Sequence, residues 1–123
     1  MNIVDSSLWL EYFADTEAGN KISEIIEDTV KLIVPTIIIY EVFKKLLLER
    51  TEDEALLAIA HMRQGKIIKL TDELSLSAAK ISKELKLPMA DSIIYATNIN
   101  NNSTLWTQDI HFMGLESVNY FKK

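Results

Sequence analysis

Short apolar runs of strand length alternate along this chain with longer stretches whose apolar residues recur every three to four positions. That alternation narrows the fold more than any other feature. Met1 to Val4 is the first such run and ends at Asp5. Ser6-Ser7 then offers a helix N-cap before Leu8, Trp9, Tyr12 and Phe13 recur at helical spacing. Thr16 to Asp28 puts Ile22, Ile25 and Ile26 on one helical face, and Lys31 to Val34 forms a second strand stopped by Pro35. The pattern predicts helices over Thr36 to Arg50 and Glu52 to Gln64, a strand over Lys66 to Leu70 after a break at Gly65, and a helix over Asp72 to Leu85 capped by Thr71 or Asp72. Leu87-Pro88 separates that helix from the next, which runs to the asparagine cluster at 98–102. Ser103 to Thr107 reads as a fourth strand, Asp109 to Met113 as a turn or a single helical turn, and Ser117 to Phe121 as a final strand. Strands alternating with helices favour an α/β domain with a mainly parallel sheet of four to five strands, covered by helices on both faces.

At 123 residues the chain makes one domain, residues 1–123, with a single hydrophobic core. It has no cysteine, so any metal must sit on oxygen or histidine. The opening Met1-Asn2-Ile3-Val4-Asp5 lacks a basic export signal, and no apolar run is long enough to span a bilayer. A cytoplasmic protein with no membrane partner is therefore expected. The formal net charge of −5 argues against a broad cationic surface for nucleic acid.

Four acids change the meaning of that charge. Asp5 and Asp109 each follow an apolar strand-like run, and parallel strands deliver both to the carboxyl edge of the sheet, where α/β folds bind ligands. Asp91 lies in the first turn of the helix after Pro88, which can begin at the same edge. Glu41 sits on a helix whose core stripe reads Ile39, Val42, Phe43, Leu46 and Leu47. It falls on the other face with Lys44, Lys45 and Leu48, close to Ile37 and Ile38. Clustered carboxylates repel unless something cancels their charge, and hard divalent cations do so. Two such ions can serve phosphodiester hydrolysis without histidine or cysteine. Removing these four charges from the formal −5 leaves −1 for the rest of the chain. Each acid alone also has an ordinary reading: Asp5 and Asp109 as N-caps, Asp91 as a dipole partner, and Glu41 as an i,i+4 pair with Lys45.

The four positions together resemble the motifs of the PIN-domain family, most closely the small VapC-type toxins of toxin–antitoxin pairs. Ile3-Val4-Asp5-Ser6-Ser7 is similar to the first motif, and Glu41 to the glutamate on the helix after the second strand. Leu87-Pro88-Met89-Ala90-Asp91-Ser92-Ile93-Ile94 resembles the third motif, and Leu105-Trp106-Thr107-Gln108-Asp109 the last. The resemblance implies a PIN-like three-layer α/β/α sandwich and Mg²⁺-dependent endoribonuclease activity, with Mn²⁺ substituting and one or two ions acting. Asp5, Glu41, Asp91 and Asp109 are then catalytic and hold the metal, and water cuts RNA to leave a 5′-phosphate and a 3′-hydroxyl. A cognate antitoxin and a homodimer are implied as partners.

Ser6 and Thr107 are expected to orient a ligand carboxylate or a water on the metal, or else to serve as turn residues. Lys44 and Lys45, which flank Glu41, are the expected RNA contacts among scattered basic residues. Trp9 and Trp106 are assigned to the core by their apolar surroundings. His111 stands where relatives often carry an acid, and a lone histidine after a turn is expected to be solvated. Two other readings remain: a phosphohydrolase with Asp5 as covalent nucleophile, which lacks its second aspartate because position 7 is Ser7, and a catalytically silent binding module.

Overall fold

Ile3-Val4 and Leu32-Ile33-Val34 are buried on both faces, as strands in the middle of a helix-covered parallel sheet must be. They form β1 (Asn2–Val4) and β2 (Leu32–Pro35) in a computed structural model that describes residues 1–123. With β3 (Lys66–Ile68), β4 (Thr104–Thr107) and β5 (Val118–Tyr120) they make a sheet in the order β3-β2-β1-β4-β5, every pair parallel. Between the strands run α1 (Ser6–Phe13), α2 (Glu17–Glu27), α3 (Thr36–Glu49), α4 (Glu52–Met62), α5 (Asp72–Leu85) and α6 (Met89–Asn100). Single 3-10 turns cover Thr29–Lys31 and Ile110–Phe112. No helix is long and apolar enough to cross a membrane.

The chain steps from β1 to β2 to β3 in one direction, then returns past β1 to β4 and β5. Parallel crossovers are right-handed, so this reversal sends α1–α4 to one face and α5–α6 to the other, giving three layers. A large core joins Leu8 and Trp9 of α1, Ile22 and Ile26 of α2, and Ile38, Val42 and Leu46 of α3 to β1 and β2. A smaller cluster holds Leu74 and Ala78 of α5 against Ile93 and Ala96 of α6. The reversal also creates a topological switch between β1 and β4, and the crevice beyond their carboxyl ends is where such sheets bind ligands.

Two local expectations are corrected. Neither Ser6 nor Ser7 caps α1: Asp5 occupies the N-cap position, and its backbone carbonyl accepts from the N–H of Leu8 and Trp9. The buried stripe of α3 centres on Ile38, Val42 and Leu46, with Ile39 and Phe43 only half-buried and Leu47 exposed. Both stripes fit the helical period, and packing against the sheet selects the one through Ile38, Val42 and Leu46. Glu41 lies three residues from Ile38 and four from Ile37, so the shift carries it to the edge of the buried face. Trp9 is fully buried, as expected, and Trp106 is half-buried with its indole N–H donated to Asn2 Oδ1 at 2.9 Å.

Gly19 is where α2 meets α1. A Cβ there would lie 2.8 Å from Tyr12 Cα and still closer to the Glu11 carbonyl, both backbone and neither able to rotate away. Gly19→Ala is predicted to lower stability by about 1–3 kcal/mol despite the better helix propensity of alanine. Urea denaturation checks this, and a midpoint at or above that of the parent would show that α1 and α2 separate freely.

Candidate metal centre

β1 and β4 pair with Val4 opposite Trp106, and the Asp5 N–H bonds the Trp106 carbonyl at 2.9 Å. Asp5 therefore emerges beside Thr107 at the carboxyl edge. Its side chain makes no helix-capping bond. Instead Asp5 Oδ2 accepts from the hydroxyls of Thr107 (2.7 Å) and Ser7 (3.2 Å). Each hydroxyl is aimed by a backbone N–H that donates to it, from Asp109 to Thr107 Oγ1 at 2.9 Å and from Gln108 to Ser7 Oγ at 3.2 Å. A carboxylate held in this way is oriented for something other than its own helix.

The other acids arrive on separate elements. Asp91 is in the first turn of α6, and Asp109 caps the 3-10 turn after β4 by accepting from the His111 N–H at 2.9 Å. Glu41 projects from α3, and Lys45 leaves it free by pairing with Glu49 at 3.4 Å, so the expected i,i+4 pair does not form. One cavity of about 510 Å³ is lined by Asp5, Ser6, Ser7, Glu41, Asp91 and Asp109 together. A larger cavity of about 860 Å³ lies alongside, sharing Gln108, Tyr120 and Lys123 with it, but none of the four acids lines it.

The electrostatics record their mutual proximity. Burial pushes the Glu41 carboxyl up to about 7, and the charges of Asp5, Asp91 and Asp109 add to the shift while the Ser6 hydroxyl offsets part of it. Burial likewise raises Asp91 to about 6, reinforced by Asp109 and Asp5 and opposed by His111. Asp5 is raised by burial against the pull of Thr107, Ser6 and Ser7. Asp5, Asp91 and Asp109 each raise a neighbouring acid's proton affinity, and Glu41 feels all three, so the four form one coupled group.

Whether these residues suit a divalent cation is decided by their chemistry. The donors are carboxylate oxygens, which hard ions prefer, and the chain has no thiolate to compete with them; Lys123 is the one lysine in the lining of the cavity. Glu41 Oε1 is buried with no hydrogen-bond partner. A buried polar atom left without a partner is costly, and a cation in the crevice would satisfy it. The residues fit the ion.

The sequence-predicted acids thus converge, and Ser6 and Thr107 both touch them. Ser7 and Gln108 were not anticipated, and His111 was expected to be solvated. His111 is not simply solvated: its Nδ1 lies 3.0 Å from Asp91 Oδ2 and 3.0 Å from Asp109 Oδ1. Its sequence signals were its position two residues after Asp109, where a capped turn folds the side chain back, and its place where relatives often carry an acid. Of the two lysines, Lys45 lines a groove that shares Ser7, Gln108 and Lys123 with the acidic cavity, whereas Lys44 lies over the Tyr40 ring at 5.8 Å.

The raised carboxyls fix a pH dependence. Between the ordinary glutamate value of 4.5 and about 7, the folded chain keeps protons on Glu41 that the unfolded chain has released. Stability contributed by this group therefore falls as pH rises through that window. In EDTA, the decline in stability from about pH 4.5 to 7 is predicted to be shallower in Glu41→Gln than in the parent. Equal slopes in pH-dependent urea unfolding would remove Glu41 from the coupled group.

Comparison with known proteins agrees with this geometry. A family profile described as the PIN domain matches residues 3–115. Among solved structures, a toxin–antitoxin complex from Klebsiella pneumoniae superposes with a TM-score of 0.80 at 19% identity, covering 97% of this chain and 96% of that one. VapBC2 from Rickettsia felis, bound to a DNA fragment from their promoter, gives 0.75 at 12% identity with 98% of both chains covered. VapC20 from Mycobacterium tuberculosis, a sarcin–ricin loop cleaving toxin, gives 0.69 at 13% identity over 99% of this chain and 90% of that one. No curated protein sequence matches. The family match spans nearly the whole chain and all four acids, and the chain belongs to the PIN domain family.

Proposed function

We propose that this chain is a divalent-metal-dependent endoribonuclease and the toxin of a toxin–antitoxin pair. The observation that carries the reading is the convergence of Asp5, Glu41, Asp91 and Asp109 on one crevice, with Glu41 Oε1 buried and unpartnered. Family membership supports a nuclease, and the toxins among the structural neighbours support the cellular role.

When bound, one or two Mg²⁺ or Mn²⁺ ions neutralise charge on the scissile phosphate and lower the pKa of the attacking water. The chain supplies the geometry. Ser7 and Thr107 hold Asp5 in one orientation, Thr107 also couples Asp5 to the Asp109 backbone, and Asp91 and Glu41 close the remaining sides. The water oxygen forms a bond to phosphorus as the bond to the 3′ oxygen breaks. The attacking water gives up one proton, the departing 3′ oxygen takes one up, and the products are a 5′-phosphate and a 3′-hydroxyl. Lys45 and Lys123 line grooves that meet at Gln108 beside the acids, and we assign them to flanking RNA phosphates.

An antitoxin partner, a homodimer and action in the cytoplasm belong to the same proposal. Of the mixed face on α3, Ile38 is buried and Leu48 is 77% exposed, and Leu57 of α4 is 72% exposed. Apolar residues exposed to that degree on neighbouring helices suit a protein partner. Light scattering that returned a monomer mass would remove the homodimer from the proposal.

The direct test incubates the purified chain with total cellular RNA and Mg²⁺ and sequences the new 5′-phosphate ends. Discrete ends are expected with metal, none with EDTA, and cleavage in Asp5→Asn or Asp91→Asn reduced beyond the roughly 10–100-fold typical of groups that only orient metal ligands. In the same assay Lys45→Ala raises KM and leaves kcat unchanged. Folded, partner-free protein that cuts no RNA would point to a silent binding module, and unchanged turnover in either acid variant would take that acid out of the mechanism.

A further inference from the structure

The local backbone holds His111 against two of the four acids. Asp109 Oδ1 accepts the His111 N–H and caps the turn, while Phe112, fully buried and 6.4 Å from the Tyr95 ring between centroids, anchors its far end. The imidazole is thereby folded back over Asp91 and Asp109, so that one oxygen from each carboxylate and the histidine nitrogen all lie within 4.8 Å of one another. The two Nδ1 distances are equal, at 3.0 Å.

A single ring N–H can point well at only one of two acceptors, so one hydrogen bond does not by itself set two equal distances, and charge attraction between an imidazolium and the two carboxylates is the alternative to a bound ion. A cation accounts for both. Two donors at right angles around an octahedral ion, each at about 2.1 Å, stand about 3.0 Å apart. Building on the metal-dependent reading above, we infer that His111 is itself a ligand of the divalent ion, through Nδ1, and completes a face of two oxygens and one nitrogen with Asp91 and Asp109.

The consequence is metal selectivity. Imidazole suits first-row transition ions, whereas Mg²⁺ favours carboxylate, carbonyl and water. A site with one nitrogen donor therefore prefers Mn²⁺ or Co²⁺ over Mg²⁺ more strongly than one built from carboxylates alone. The nitrogen donates as neutral histidine with its ring proton on Nε2, which then faces away from the ion.

The test reads the bound ion and not turnover. Electron spin-echo envelope modulation of the Mn²⁺-loaded chain reports directly whether a nitrogen ligates the metal. Samples are the parent, His111→Asn, His111→Asp, and His61→Gln as control, since the chain has two histidines. The His111 side chain is 55% exposed, so its variants keep the fold, and circular dichroism verifies this. Nitrogen modulation is expected in the parent and in His61→Gln and is lost in both His111 variants. Calorimetric titration is expected to show the Mn²⁺-to-Mg²⁺ affinity ratio falling about tenfold in His111→Asp. Stoichiometric Mn²⁺ binding without nitrogen coupling, or coupling that survives His111→Asn, overturns the assignment and leaves the four-carboxylate reading standing. Absence of any Mn²⁺ binding overturns both.

Discussion

The parallel pairing of β1 with β4, in the register that sets Val4 opposite Trp106, puts Asp5 beside Thr107 and Asp109 just beyond. Burying one carboxylate at that edge is costly, and bringing three more to it is costlier. The fold meets part of the cost with two hydroxyls on Asp5 Oδ2, each aimed by a backbone N–H of the segment after β4. It leaves the rest unmet. Glu41 and Asp91 keep their protons to about 7 and about 6, and Glu41 Oε1 has no partner. A structure that satisfies its other buried side-chain polar atoms, apart from the Trp9 indole nitrogen, concentrates its electrostatic strain where an ion can relieve it.

Much of the fold was legible because its determinants are local. The β and α periods, Pro35 and Pro88 at helix starts, and the Thr71 cap that accepts from Leu74 N–H at 3.1 Å all act within a few residues of where they stand. The stripe on α3 was misjudged because five apolar neighbours, Ile37 to Ile39, Val42 and Phe43, fit several overlapping stripes, and only packing against the sheet selects among them. The four acids could be found by their positions at strand and helix ends. The groups that hold them could not. Ser7 joins Asp5, two residues away, to Gln108, 101 residues away in sequence, and no period or cap rule encodes that second contact. His111 was missed for a related reason, since a side chain two residues past an aspartate is solvated or folded back according to whether that aspartate caps the turn between them.

The net charge of −5 sits less awkwardly with a nucleic-acid substrate once its distribution is seen. The acids line the crevice, while Lys45 and Lys123 line the grooves leading from it. Under the proposed function, binding along such a path would rely on a few phosphate contacts and on an ion, and not on a broad cationic face. The fold is shared with proteins at 12 to 19% identity, so the scaffold constrains the sequence loosely. Target choice then belongs to the surface around the crevice and not to the scaffold.

The account stands on the four acids forming a single preformed cation site. Scanning calorimetry of the chain near neutral pH, in EDTA and at saturating Mn²⁺, tests that most directly. Ion bound only by the folded state stabilises it by about 2.7 kcal/mol at a hundred times the dissociation constant, so the Mn²⁺-loaded chain should melt at a clearly higher temperature, with the gain lost in Asp91→Asn. Superimposable melting curves with and without Mn²⁺ would contradict the account.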